Sequence, residues 1–341
     1  MNQDTELVMH PIDTFEGTPE GPGAVPVADA DWVTLTRFEV QVNQRSQITA
    51  PVYANGRQQV PVEIIIEARD KDGVAVDLSD AQLKSIRLIN YNTNTAVVGC
   101  RHDKDARFIY HWAPVKDDEG ENLPDEEVHA DTPRAAAQAI MIYVHTTAVS
   151  TSKIAAEITS PSKGLFRTNT PNPGPGKFDS WVNIRGEQEI RYYQGDMTME
   201  LVNEVTSDMW DVDLYYIRFT EQGLNIVQSV HFDIAGDEPH LNKSPHFLVN
   251  RFHIAFAVGP VRTITYAGLD GKPVVTFQVN KRPGQATAAR CQSKPFNYYP
   301  ERRHEACMRY YNQYGNYASC ALGNTYTNGY NVMTLEASVH G

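Results

Sequence analysis

Three cysteines and one histidine near the end of the chain have the spacing most suggestive of chemistry. Cys291, His304, Cys307 and Cys320 follow the pattern C-x12-H-x2-C-x12-C. Structural zinc sites usually combine two close pairs of ligands, and this pattern contains one. The sequence begins without a secretory signal, which favours reduced thiols. We therefore predict free thiols first, a disulfide of Cys307 with Cys320 or Cys291 second, and zinc third. Cys100 stays free or pairs across domains, and no metal or other cofactor is expected.

The motifs of the common enzyme classes are missing from the sequence. It contains no phosphate-binding glycine loop, no dinucleotide fingerprint, no G-x-S-x-G and no H-E-x-x-H. Paired carboxylates for glycoside cleavage leave no trace in a sequence, so Asp237-Glu238 and the pair Asp211 and Asp213 are candidates only by default. Exposed acids of turns and strand edges are the simpler interpretation. The sequence thus predicts a protein that is not an enzyme.

Aromatic side chains are concentrated in the C-terminal segment. Eight of the 17 tyrosines lie between positions 298 and 330, interleaved with asparagine and glycine. Tyrosine offers a large, stiff contact area at low entropy cost. We predict a protein–protein interface or a sugar-stacking surface here; the alternative is that the rings close the segment over the preceding domain. The predicted binding residues are Tyr298, Tyr299, Tyr310, Tyr311, Tyr314, Tyr317, Tyr326 and Tyr330.

Acidic residues outnumber basic ones, 42 to 30, for a formal net charge of -12. A nucleic-acid binder needs clustered Lys and Arg, and only Arg302-Arg303 stands out, so we predict no nucleic-acid partner. Residues 1–31 hold seven acids and residues 117–131 hold eight, without Lys or Arg. Both blocks indicate solvated, self-repelling surface, with calcium binding by the second block as the alternative. No apolar stretch is long enough to span a membrane.

Short alternating apolar segments, separated by glycine and proline, predict a mainly β protein. Residues 60–66 place Val and Ile on one face and polar residues on the other, and the Asp70-Lys71-Asp72-Gly73 turn follows. The strand that begins near Trp32 requires one bulge to keep its alternation. Residues 263–266 turn through Asp270-Gly271 into residues 274–277, which is the clearest hairpin signal in the chain.

One stretch of the sequence is similar to a known family. The run YANGRQQVPV at residues 53–62, followed by ARDKDGVAV at residues 68–76, resembles the opening of bacterial immunoglobulin-like modules. Those modules commonly carry a glycine turn, an alternating valine strand and a D-x-x-G turn. The resemblance covers residues 53–90 and implies a β-sandwich used as a spacer or adhesive unit, without assigning any functional residue. The insertion at residues 102–131 departs from such a module.

Composition along the chain predicts two β-sandwich-like domains with segments around them. The predicted divisions are an extended acidic arm at 1–30, a first domain at 31–160, a Pro/Gly linker at 161–179, a second domain at 180–282, and a Tyr/Cys-rich loop and helix segment at 283–341, with the helix at 301–313.

These features favour a non-enzymatic structural or interaction protein of an assembly, such as a phage particle or an extracellular appendage. We expect protein partners, in a homo-oligomer or a larger assembly. A carbohydrate-binding adhesin or lectin that recognises glycans is the second hypothesis, and a secreted β-rich toxin is the third. The missing signal peptide predicts a virion or extracellular location reached by lysis or dedicated export, with the cytoplasm as the alternative.

Overall fold

A computed structural model of the chain describes residues 29–110, 137–174, 176–208, 210–231, 251–266, 275–293, 306–327 and 330–338. Within these ranges the protein is mainly β, as predicted, and α1 (Asp80–Lys84) is a single short α-helix. None of the helices in these ranges is long and apolar enough to cross a lipid bilayer. The predicted acidic arm lies outside the described residues except for its last two positions.

The described part of the first half of the chain contains twelve strands. They are β1 (Thr34–Gln41), β2 (Thr49–Tyr53), β3 (Val60–Arg69), β4 (Ala75–Val76), β5 (Arg87–Asn90), β6 (Cys100–Arg101), β7 (Gln138–Val144), β8 (Thr151–Ser160), β9 (Gly164–Arg167), β10 (Asn169–Gly174), β11 (Lys177–Asp179) and β12 (Val182–Glu187). One sheet has the order β1-β3-β7-β6, with β4 beside β3. A second sheet has the order β2-β12-β8-β5, with β9 beside β8, and β10 pairs with β11.

The two larger sheets of this half share one hydrophobic core, which gives a sandwich-like arrangement. On β3, buried and half-buried residues alternate without a break, because successive side chains of a strand point to opposite faces. Trp32 is fully buried and its ring lies 5.4 Å from that of Phe166. The Ser160 hydroxyl donates to the Trp32 carbonyl at 2.6 Å, so the start of β1 is held to the end of β8.

Two local predictions for this half are confirmed. The register of β1 against β3 shifts between Leu35 and Arg37, which is the predicted bulge. In the turn after β3, Gly73 has a φ of +79°, a conformation that glycine adopts without steric cost. The Asp70 carboxylate accepts the backbone N–H groups of Asp72 and Val74, both at 2.9 Å, which closes the turn.

The predicted linker at 161–179 contains strands in the structure. β9 pairs with β8, and β10 pairs with β11 only at its ends, Asn169 with Asp179 and Gly174 with Lys177. Pro171 and Pro173 therefore lie on a strand at the margin of the fold, where a missing N–H donor breaks no ladder. β12 follows and pairs with both β2 and β8. The segment predicted as a Pro/Gly linker thus contains paired strands.

In the second half, eleven strands lie within the described residues. They are β13 (Arg191–Tyr192), β14 (Met197–Thr206), β15 (Trp210–Phe219), β16 (Ile226–His231), β17 (Arg251–Phe256), β18 (Arg262–Tyr266), β19 (Val275–Val279), β20 (Ala286–Ser293), β21 (Ala306–Asn312), β22 (Tyr317–Thr327) and β23 (Tyr330–Ala337). The central sheet has the order β14-β15-β20-β17. The outer sheet has the order β13-β22-β21-β16, with β23 beside β22, and β18 pairs with β19.

The central sheet is covered on both faces, so this half has three layers. Tyr215 and Ile217 of β15 face a core shared with the outer sheet, whereas Leu214 and Tyr216 face a core shared with β18 and β19. The predicted pairing of the two hairpin arms is confirmed, because β18 pairs antiparallel with β19; the predicted turn at Asp270-Gly271 lies outside the described residues. A strand that is buried on both faces has apolar residues at successive positions rather than at alternate ones. β15 shows this pattern over most of its length.

The predicted helix at 301–313 was wrong over residues 306–312, which form β21; residues 301–305 lie outside the described part. β21 pairs with β16 on one side and with β22 on the other. Tyrosine favours strands, and pairing on both sides outweighs any local helical tendency. The C-terminal segment therefore supplies three of the five strands of the outer sheet, β21, β22 and β23, rather than loops around a finished domain.

Candidate functional site

The structure places the predicted tyrosine surface partly inside the chain. Tyr310 is almost fully buried in the core between the central and outer sheets, and this burial raises its pKa well above the ordinary value. Tyr311 and Tyr317 are buried where the two halves meet, and Tyr314 is half-buried beside them. Three of the eight rings thus serve packing within one chain. Of the others, Tyr326 and Tyr330 lie on β22 and β23, and Tyr298 and Tyr299 lie outside the described residues.

Cys100, Cys291 and Cys320 are free thiols in the structure. Cys291, Cys307 and Cys320 are buried and Cys100 is half-buried. Burial raises the pKa of Cys320 to about 12 and that of Cys100 to about 11. A thiol must ionise before it attacks or ligates, so burial disfavours both reactions at Cys320 and Cys100. Among the described residues no group of three or more potential ligands could hold a metal, and His304 is not among those residues.

Two of the acids weighed for catalysis, Asp211 and Asp213 on β15, bind Arg290 on the neighbouring strand β20. The Arg290 guanidinium donates from Nε to Asp213 at 2.7 Å and from Nη2 to Asp211 at 2.6 Å. Burial raises the pKa of Asp213, and the charge of Arg290 offsets part of that effect. Both carboxylates are held within the sheet rather than in an open cleft. Asp237-Glu238 lies outside the described residues.

Sequence reasoning missed this ion-pair group, although a signal for it exists. Arg290 is a lone charge in a strand that is otherwise rich in alanine, and its exposed side-chain fraction is 6%. A charge at such a position requires an opposite charge nearby, because an unpaired buried ion is costly. Asp211 and Asp213, two apart on an apolar strand, point to the same face and meet that requirement.

The two halves of the chain meet at a contact that we call the junction, formed by Asn55, Arg57, Phe108, Tyr311 and Asn316. Phe108 and Tyr311 belong to one cluster of buried aromatic rings. The guanidinium of Arg57 lies 4.2 Å from the centre of the Tyr311 ring and donates to the Tyr311 hydroxyl at 3.1 Å. This contact thus connects two residues that are 254 positions apart in the sequence.

Buried amides extend the junction. The Asn55 side chain donates to the Tyr314 carbonyl at 2.9 Å and to the Asn316 side-chain oxygen at 3.3 Å. The Ile109 N–H donates to the Gln313 carbonyl at 2.8 Å. Satisfied buried polar groups fix one arrangement, because any slip leaves a donor or acceptor unpaired. These hydrogen bonds therefore favour one arrangement of the two halves.

β14 lies at the edge of the central sheet. In the described part of the chain, the strand that pairs with it is β15. Met197 and Met199 point into the core, and Leu201, which continues their row, leaves 50% of its surface exposed. On the opposite face, Glu200 forms a bidentate pair with Arg282. A bulge at Asn203 to Val205 interrupts the register.

No protein-family model matches this sequence, and no curated protein is significantly similar to it. The immunoglobulin-like resemblance of residues 53–90 thus stays a prediction. In the structure this stretch contributes β3, β4 and β5 to two different sheets of the first half. Any statement about function must therefore come from the geometry of the chain itself.

Proposed function

We propose that this protein is a non-enzymatic structural or interaction protein of a larger assembly, such as a phage particle or an extracellular appendage. The outer edge of β14 is the observation that carries the proposal. The strand is ten residues long, and no other strand in the described ranges pairs with that edge. Such an edge presents a row of backbone donors and acceptors, onto which a further strand can add.

The partner that best fits this edge is β14 of a second copy. The regular part of the strand runs from Met197 to Asn203, before the bulge. An antiparallel register that sets Leu201 against Leu201 also sets Glu200 against Val202, which separates the like charges. It covers the exposed part of Leu201 and joins two four-stranded sheets into one. An interface formed by the same surface of both copies gives a closed, two-fold symmetric dimer. Such a dimer can serve as a building unit of an assembly.

Charge and the bulge limit how this pairing occurs. Each copy carries a formal net charge of -12, so two copies repel at low ionic strength. Added salt screens that repulsion, and association should therefore strengthen as salt is raised. The bulge twists the last residues of β14 away from a flat edge, which confines pairing to the segment before it and prevents unlimited sheet growth.

Leu201→Lys is expected to raise the dissociation constant of the dimer by about tenfold or more, equivalent to about 1.4 kcal/mol. Lysine at this position must be buried against its copy in the proposed register, whereas it remains solvated in the monomer. Sedimentation equilibrium across a concentration series measures the constant. Val261→Lys is the matched control, because Val261 is 54% exposed and is not part of β14.

The proposal is contradicted if the wild-type protein stays monomeric up to about 100 µM, because even a weak dimer should form at that concentration. Equal effects of the two lysine variants would also count against it, since they would show a general charge effect. A glycan array separates the carbohydrate-binding alternative: specific glycan binding by a monomer would replace assembly as the function. Negative-stain microscopy then shows whether dimers build into larger particles.

A further inference from the structure

A small cavity of about 260 Å³ lies beside the junction, between the two halves of the chain. Its lining comes from three segments of the first half and from β16 and β21 of the second. The residues that matter for its chemistry are Arg57, Arg101, Asp105, Arg107, His145 and Tyr311. The cavity is too small for a drug-sized ligand but has room for a small polar one.

The charge of this cavity is opposite to that of the protein. Arg107 donates twice to the Asp105 carboxylate, at 2.9 and 2.7 Å, so these two charges cancel. No carboxylate in the described part of the chain forms an ion pair with Arg57 or Arg101. Burial and the charge of Arg101 lower the pKa of His145, which keeps this imidazole neutral at pH 7. Among the described residues, the lining therefore carries two arginines without an ion-pair partner, Arg57 and Arg101, in a chain with a net charge of -12.

Arg57 is held in place without being neutralised. Its Nη1 donates to the Asn55 carbonyl at 2.9 Å and its Nη2 donates to the Tyr311 hydroxyl at 3.1 Å. Both acceptors are uncharged, and a guanidinium has five N–H donors. The side chain is thus fixed by the junction while donors and its full charge remain for a ligand. A fixed guanidinium loses little entropy when it binds an oxyanion.

We propose that this cavity binds a small oxyanion, a carboxylate or a phosphate, between Arg57 and Arg101. Guanidinium groups form paired hydrogen bonds with both kinds of oxyanion, and these charge-assisted bonds are the stronger kind. The anion comes either from a free small molecule or from an acidic side chain of a partner protein. The lining is assembled only in the folded chain, so a bound anion stabilises that chain against unfolding.

Arg101→Gln tests the site with little risk to the fold, because Arg101 is exposed and forms no ion pair within the described ranges. Isothermal titration with inorganic phosphate, and separately with citrate, is expected to show binding to the wild type. The dissociation constant of Arg101→Gln should be at least about tenfold higher, as for the loss of one charge-assisted hydrogen bond. Arg45→Gln is the matched control, since Arg45 is equally exposed but lies outside the cavity.

The arms of the experiment separate the sources of the anion. Phosphate or citrate binding supports a free small molecule, and binding of a capped Glu-containing peptide alone supports a partner's side chain. Chloride at matched ionic strength controls for general salt effects. The proposal is overturned if the wild type binds none of these probes at millimolar concentration, or if Arg45→Gln weakens binding as much as Arg101→Gln. The titration is run at protein concentrations at which the chain is monomeric, so its outcome is independent of dimerisation through β14.

Discussion

Replacing Arg290 by methionine is expected to destabilise the protein by about 3–5 kcal/mol, which is the usual cost of removing one partner of a buried ion pair. Arg290 is the cation that faces both Asp211 and Asp213, and its side chain is 6% exposed. Methionine fills a similar volume but leaves the Asp213 carboxylate buried without its partner. Urea unfolding at pH 7, followed by tyrosine and tryptophan fluorescence, measures the free energy of unfolding.

A surface pair provides the comparison. The side chains of Arg185 and Glu187 are 51% and 42% exposed, so Arg185→Gln should change the free energy of unfolding by less than about 1 kcal/mol. Replacing the buried charges together, as Arg290→Met with Asp213→Leu, should recover part of the loss because no unpaired ion remains at that position. Equal losses in Arg290→Met and Arg185→Gln would contradict the assigned role of the buried group.

The pH dependence of Arg290→Met follows from the raised pKa of Asp213. Burial already raises that pKa in the folded wild type, and removing Arg290 raises it further. A group with a raised folded pKa favours the folded state below its unfolded pKa, and this contribution is lost as pH rises through the folded pKa. The free energy of unfolding of Arg290→Met should therefore recover, relative to wild type, as pH falls from 7 and Asp213 gains its proton.

Local patterns in the sequence predicted the parts of the fold that local physics determines. The alternation on β3, the bulge on β1, the turn at Gly73 and the pairing of β18 with β19 each depend on neighbours a few residues away. Side-chain period and turn chemistry are sufficient to identify such features. The mainly β class followed from the same signals.

Pairings between distant residues could not be predicted in this way. β21 was predicted as helix because its strand character depends on β16 and β22, which flank it in space. β12 was assigned to the second domain, yet it lies between β2 and β8. The junction and its cavity are formed by residues more than two hundred positions apart, and no spacing rule connects them. The exposed edge of β14 likewise becomes visible only once the order of the sheet is known.

Gly315→Ala is expected to destabilise the protein by about 2–5 kcal/mol, because the substitution combines backbone strain with a clash at the junction. Gly315 has a φ of +78°, which costs a residue with a Cβ roughly 1–2 kcal/mol. The added Cβ would lie 2.8 Å from the Cβ of Arg57 and 2.9 Å from the Asn55 side chain. Overpacking of this kind adds about 1–3 kcal/mol.

Gly73→Ala isolates the contribution of the backbone. Gly73 has nearly the same φ, +79°, and no atom lies within 4 Å of its added Cβ, so strain alone remains. The difference between the two variants in urea unfolding thus measures the clash. Asn55→Ala and Gly315→Ala, made singly and together, form a double-mutant cycle. If the new methyl group clashes with Asn55, the double variant should lose less unfolding free energy than the sum of the two single variants. If the two losses of unfolding free energy are strictly additive, the added methyl group does not clash with Asn55. The contact between the two halves would then not depend on the close approach of Gly315 to Asn55.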